Sequence, residues 1–212
     1  MSYPVDLKIA ELLCSRLCHD LVSPLGAVNA GLEAMEEDSG IDPQEARMLA
    51  AREAAVLTER LTLYRFAFGL GGDGAVPLPN TEVHAHCLAI AKGKKAELAW
   101  RAEYPSQWRR DAARLLVNMV ILSVEALPRG GLITVDSAAL DGGLGLAVSA
   151  DGPRAGFRNA MRLALSPDLP VDLVDARNVQ AYFTSLCADR LGAALEFSED
   201  EGQTVALACM IP

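Results

Sequence analysis

The residues in this sequence best equipped for chemistry are a neighbouring imidazole and carboxylate, His19 and Asp20, inside the run Leu17-Cys18-His19-Asp20-Leu21-Val22-Ser23-Pro24-Leu25. A histidine of ordinary pKa, about 6.5, is mostly neutral at neutral pH, and a neutral imidazole is a nucleophile. What such a ring can do depends on where it points. Ala10, Cys14, Leu17, Leu21, Leu25, Val28, Leu32 and Met35 recur at steps of three and four, the period of one apolar helical stripe. At about 100° per residue His19 falls about 160° from that stripe, on the solvent side. Ser15, Ser23, Gly26 and Ala30 share its side, a strip of small or polar residues that lets another protein approach the helix closely. Pro24 has no N–H to offer the carbonyl of Asp20, so a local bend is predicted beside the histidine.

The elements that must carry this pair follow from the same periodicity. The spacing predicts a first helix over residues 5–38, a break at Gly40-Ile41-Asp42-Pro43 with Asp42 as N-cap and Pro43 at the first helical position, and a second helix to about Phe68. Two long helices so briefly connected form an antiparallel hairpin. Such a hairpin buries only part of its apolar stripe, so a homodimer is expected, completing a four-helix bundle.

Residues 69–79 are a run of glycines and prolines, and the domain boundary is placed there: a hairpin domain over 1–70 and a second domain over 77–212. In the second domain, helices are predicted over 81–94, 111–127, 154–165 and 175–191. Strands are predicted over 97–104, 132–140, 144–150, 193–198 and 204–211. Mixed helices and antiparallel strands suggest an α/β sandwich with helices on one face, so the chain as a whole is α+β. Gly142-Gly143-Leu144-Gly145 suits a phosphate cradle in composition, but a strand rather than a helix follows it, so a hairpin turn is expected.

Composition narrows the partners. The 212 residues carry 28 Asp and Glu against 19 Lys and Arg, a net charge of −9, with no basic tract, which argues against nucleic acid or an anionic membrane surface. The most apolar stretch, residues 115–127, is interrupted by Asn118, Ser123 and Glu125, and no charged-then-apolar leader opens the sequence; a cytoplasmic protein is expected. The five cysteines, an odd number set in apolar patterns, read as reduced and buried thiols. Neither Cys14 with Cys18 nor His84, His86 and Cys87 has the spacing of a zinc site, so no metal is expected.

The run His19-Asp20-Leu21-x-Ser23-Pro24-Leu25 resembles the phosphoacceptor box of histidine kinases, an exposed histidine followed by an acid and then Pro-Leu. The resemblance implies that His19 accepts a phosphoryl group through a ring nitrogen, with Asp20 helping to hold the ring in its neutral, nucleophilic tautomer. The second domain is similar to a histidine-kinase ATP-binding domain: Asn118 and the segment to Pro128-Arg-Gly-Gly131 look like the asparagine box, and Ser149-Ala150-Asp151-Gly152-Pro153 like the first glycine box. The departures are as informative. Leu122 stands where kinases place the Mg²⁺-binding asparagine, Ala150 where they place the adenine-reading aspartate, Arg154 where a glycine follows, and Ala176-Arg177-Asn178-Val179-Gln180 holds no glycine where a second box belongs.

An intact phosphoacceptor helix on a degenerate kinase frame resembles the ChpT-type histidine phosphotransferases of bacterial cell-cycle phosphorelays. That resemblance implies a homodimer with no cofactor of its own, the Mg²⁺ sitting on the partner receiver domain. Its expected donors and acceptors are the receiver of a CckA-like hybrid kinase and CtrA-like and CpdR-like response regulators. Ser15, Arg16, Ser23, Gly26 and Ala30 are the expected contacts to a receiver, with recognition resting on close approach near His19 and on local cations such as Arg16 rather than on steering. An ATP-dependent histidine kinase with an atypical site and a non-catalytic dimeric scaffold are the alternatives.

Overall fold

In the computed structural model, which describes residues 6–36, 40–69, 76–93, 95–200 and 202–212, the chain divides into two compact units. One is Glu11–Leu70; the other joins Met1–Ala10 to Gly71–Pro212.

The first unit is the hairpin. Helix α1 is Leu7–Glu36 and runs through Pro24; helix α2 is Pro43–Ala67. The Asp42 carboxylate accepts from the backbone N–H of Gln44 at 2.9 Å and Pro43 takes the first position, so one orphan donor is satisfied and another is absent. The expected ends of α1 at Glu37 and Asp38 lie outside the described residues, as do Ser39 and residues 70–75 of the breaker run. The helices run antiparallel: Asp20 of α1 meets Arg60 and Tyr64 of α2, whereas Gly31, further along α1, meets Ala46 and Ala50 near the start of α2.

That seam is built from small residues. Pro24 and Gly31 of α1 and Ala46 and Ala50 of α2 are buried, and a Cβ placed on Gly31 would stand 3.0 Å from both the Ala46 carbonyl oxygen and the Ala50 Cβ. Gly31→Leu must therefore push the helices apart. Overpacking of this kind costs about 1–3 kcal/mol, and the expected result is a lower thermal midpoint of the helical signal in circular dichroism.

The stripe read from the sequence is a separate face. Cys14, Leu25 and Leu32 are exposed, and Leu17, Leu21, Val28 and Met35 are half-buried. The cysteine expectation needs correcting here. Cys87 and Cys209 are buried, but Cys14, on this stripe, and Cys18, beside it, are exposed in the single chain.

In the second unit a two-residue pair, β1 (Leu78–Pro79) with β3 (Gln107–Trp108), flanks helix α3 (Asn80–Lys92) and strand β2 (Ala96–Trp100). Helix α4 is Arg110–Glu125, followed by strands β4 (Gly131–Leu140) and β5 (Gly143–Asp151), helix α5 (Asn159–Ala164), a 3₁₀ turn at Val171–Leu173, helix α6 (Val179–Asp189), and strands β6 (Glu196–Asp200) and β7 (Thr204–Ile211). The main sheet has the order β2-β4-β5-β7-β6, with β2 parallel to β4 and every other pair antiparallel.

Leu146, Val148 and Ala150 of β5 and Val205, Leu207, Cys209 and Ile211 of β7 alternate inward onto α4, the period-two pattern of a sheet covered on one face. Helix α4 is buried almost all round from Ala112 to Val124, as a helix must be when it lies on the sheet and is flanked by α3 and α6. The glycine-rich segment is a hairpin: Leu140 pairs with Gly143, and Gly143, at φ +142°, brings its α-carbon so close to the Ile211 carbonyl that a side chain cannot fit. Several predicted bounds move. Strand β2 ends at Trp100 rather than 104, α5 spans only Asn159–Ala164, and β6 begins three residues later than predicted. Helix α6 starts at Val179 because Asp175 and Asn178 bond locally instead: Asn178 Oδ1 accepts from the Asp175 N–H at 2.8 Å and Asp175 Oδ1 from the Arg177 N–H at 2.8 Å.

Candidate functional site

Three faces of α1 decide what His19 can do. One packs on α2, a second is the apolar stripe, and the third carries His19 with Ser15, Ser23, Gly26 and Ala30, all exposed. The imidazole is 89 % exposed, and a Cβ on Gly26 would meet nothing within 4 Å, so the surface around it is open.

Asp20 is one residue on and therefore turned toward α2. Its Oδ1 lies 3.3 Å from His19 Nδ1, and its Oδ2 accepts the Tyr64 hydroxyl at 2.7 Å. Partial burial on its own raises a carboxyl's pKa; here the hydrogen bonds from Tyr64 and His19 and the positive charge of Arg16 outweigh it, and the Asp20 pKa is lowered. Burial first, and then the bond to anionic Asp20, push the Tyr64 phenol well above its usual range, so it remains a donor. An ionised carboxylate only accepts hydrogen bonds. The contact therefore favours the neutral tautomer that donates Nδ1–H to Asp20, which leaves Nε2 as the ring's free acceptor nitrogen.

Arg16 departs from the exposed strip. It is half-buried, and its charge acts on Asp20 and Tyr64 from within the hairpin. Arg60 and Tyr64 were not singled out as site residues from the sequence. Arg60 Nη1 donates to the Asp20 carbonyl at 2.6 Å, and this carbonyl is the one that Pro24 leaves without an intrahelical donor. A Pro four residues after an acid signals an orphan carbonyl; nothing local says which distant side chain will fill it.

In the second unit, the Asn118 side chain is fully buried and turned into the protein. Its Nδ2 donates to the Arg114 carbonyl and its Oδ1 accepts from Gln180 Nε2, each at 2.8 Å. Gln180 belongs to the segment without glycine, and its amide ties α6 to α4 at this buried asparagine. Leu122 and Ala150 are fully buried, and Asp151 Oδ1 accepts from Thr204 Oγ1 at 2.6 Å. Arg162 is paired with Glu199, Nη2 to Oε2 at 2.6 Å. Among the described residues, no three His, Cys, Asp or Glu side chains converge to hold a metal, and no helix is long and apolar enough to cross a membrane. The Cys187 and Cys209 thiols are pushed up to about 11 by burial and are not thiolate nucleophiles.

Comparison with known proteins agrees with this geometry. Residues 81–203 match the family model of the histidine phosphotransferase C-terminal domain. The chain is 32 % identical over 198 residues to the protein phosphotransferase ChpT of Brucella abortus (strain 2308), covering 91 % of this chain and 92 % of that protein. Among solved structures, a bacterial phosphotransferase superposes with a TM-score of 0.79 at 26 % identity, covering 98 % of each chain. The Acinetobacter baumannii histidine kinase AdeS superposes at 0.52 with 11 % identity over 91 % of this chain and 98 % of that one, a likeness of fold alone. An exposed histidine on an open helical face in one unit and a histidine-kinase-like fold in the other are thus joined to their relatives by sequence and by fold: the chain belongs to the histidine phosphotransferase family.

Proposed function

We infer that His19 is the relay point of a phosphorelay, taking a phosphoryl group from the aspartate of a hybrid kinase's receiver domain and passing it to the receiver domains of response regulators. The observation that carries the reading is the His19–Asp20 pair, an exposed ring whose Nδ1 faces an ionised carboxylate. In the forward step the Nε2 lone pair attacks phosphorus in line. The N–P bond forms as the bond from phosphorus to the aspartyl oxygen breaks, and the receiver's carboxylate leaves with the electron pair. The phosphorylated ring, still protonated on Nδ1, carries positive charge, and anionic Asp20 stabilises it. Reversal onto a second receiver regenerates neutral His19. The receiver supplies Mg²⁺ to neutralise the phosphoryl oxygens, and this chain supplies a nucleophile on a stiff helix.

The donors and acceptors are of the CckA-like, CtrA-like and CpdR-like kinds, and the receiver docks over Ser15, Ser23, Gly26 and Ala30, with Arg16 acting through Asp20. The chain works as a cytoplasmic homodimer and spends no ATP. The ATP claim is supported by the Asn118–Gln180 hydrogen bond and by Leu122 and Ala150, which offer neither a metal ligand nor an adenine acceptor. Titration with Mg-ATP in a calorimeter is expected to give no binding heat, and radiolabelled ATP no label on the protein. The decisive experiment mixes the purified chain with a receiver domain labelled on its aspartate. Acid-labile, base-stable label appearing on the chain supports the relay; label from ATP restores the kinase alternative; no label from either leaves the scaffold.

A further inference from the structure

We propose that Arg60 and Tyr64, on the second helix of the hairpin, are positioning residues that clamp Asp20 at two points and thereby set the ring of His19 for phosphoryl transfer. The inference rests on His19 being the acceptor and adds the residues that orient it.

The clamp answers a problem that Pro24 creates. A helix that continues through a proline leaves the carbonyl four residues back without its N–H partner, and a half-buried carbonyl needs another donor. Arg60 supplies a charge-assisted one, from Nη1 to the Asp20 carbonyl oxygen at 2.6 Å. One helical turn further along α2, on the same side, Tyr64 takes Asp20 Oδ2 at 2.7 Å. With the carbonyl and one carboxylate oxygen both held, the remaining oxygen, Oδ1, is the one that faces His19 Nδ1, at 3.3 Å. The Tyr64 ring is itself packed, its centroid 5.6 Å from that of Phe68. His19, by contrast, stands in solvent, and among the described residues Asp20 is its one hydrogen-bond partner. The two α2 residues therefore reach the reacting ring through Asp20 without touching it, which is how a third group orients the base or nucleophile in other catalytic arrangements.

The test uses the full chain carrying Tyr64→Phe, Arg60→Gln, and Arg60→Lys as the conservative variant. Two readouts are taken: the single-turnover rate of label transfer from a phosphorylated receiver, and the ¹⁵N shifts of the His19 ring, which report which nitrogen bears the proton. Tyr64→Phe and Arg60→Gln are each expected to slow transfer about 10- to 100-fold, the usual loss when a partner that orients a functional side chain is removed. They are also expected to move the ring from one Nδ1-protonated form toward a mixture of tautomers. Arg60→Lys, which keeps a cationic donor, is expected to recover much of the Arg60→Gln loss. Wild-type rates in both disruptive variants, or slower transfer with unchanged ring shifts, overturn the clamp. If one variant does not fold, the other and the lysine rescue still decide it. Should wild type accept no label from any receiver, the relay reading fails, while the ring shifts continue to report on the clamp.

Discussion

His19→Ala is expected to abolish phosphoryl acceptance from a labelled receiver while leaving the chain as stable and as well folded as before. The two halves of that result have separate causes. The imidazole is 89 % exposed and bonds, among the described residues, to Asp20 alone, so truncating it leaves no cavity and strands no buried polar group; surface changes of this kind stay within about 0.5 kcal/mol. Transfer, however, needs a nitrogen that can form the N–P bond, and alanine offers none. A loss of at least about 10³-fold is the ordinary consequence of deleting a covalent nucleophile. The measurement is retained label after a single turnover, beside a thermal melt. Asp20→Asn separates nucleophile from orientation: its amide can present N–H to Nδ1 and so favour the tautomer with the proton on the outward Nε2. Transfer should fall steeply, with His19 still present. If His19→Ala keeps its label, the phosphoryl group goes elsewhere and the site assigned here is wrong.

What could be read from the chain before its fold was known tracks how local each cause is. The three-and-four spacing from Ala10 to Met35, the Asp42–Pro43 start of α2 and the glycines at 142–143 act over a turn or two, and the helices and the hairpin turn they specify lie where expected. His19 was placed on the open face by angle alone. The Asp20 clamp was not legible, since Arg60 and Tyr64 are 40 and 44 residues away and look like any charged and aromatic positions on an amphipathic helix. Gln180 was noticed only as part of a segment without glycine; that its amide reaches Asn118, 62 positions earlier, depends on how α6 lies on α4. The start of β6 was missed for a similar reason. Its register against β7, with Glu196 opposite Ala208, is set by pairing and not by its own alternation.

The apolar face of α1 leads to the second large effect: Leu25→Glu combined with Leu32→Glu is expected to turn a dimer into a monomer and to loosen the hairpin at the same time. Leu25 is 48 % and Leu32 46 % exposed in the single chain, and Leu49 of α2 is exposed as well. The hairpin's own seam buries Pro24, Gly31, Ala46 and Ala50, side chains too small to remove much apolar surface from water. Exposed leucines thus lie on a face that the hairpin leaves uncovered, and a second copy related by a two-fold axis would bury them in both protomers. Fully burying a leucine contributes about 1.5–3 kcal/mol, so in a dimer these positions would supply what the small-residue seam cannot. Introducing Glu at both sites in both copies places four carboxylates where that surface must close, and an unpaired buried charge is strongly unfavourable. Light scattering coupled to size exclusion is expected to read a dimer for wild type and a monomer for the double variant, with helical circular dichroism melting at lower temperature. A wild type that is monomeric at micromolar concentration removes the bundle. A variant that stays dimeric moves the interface to another face. Because His19 points about 160° away from this stripe at about 100° per residue, a loss of phosphoryl acceptance in the monomer is expected to act through the loosened α1–α2 seam, and so through the grip of Arg60 and Tyr64 on Asp20.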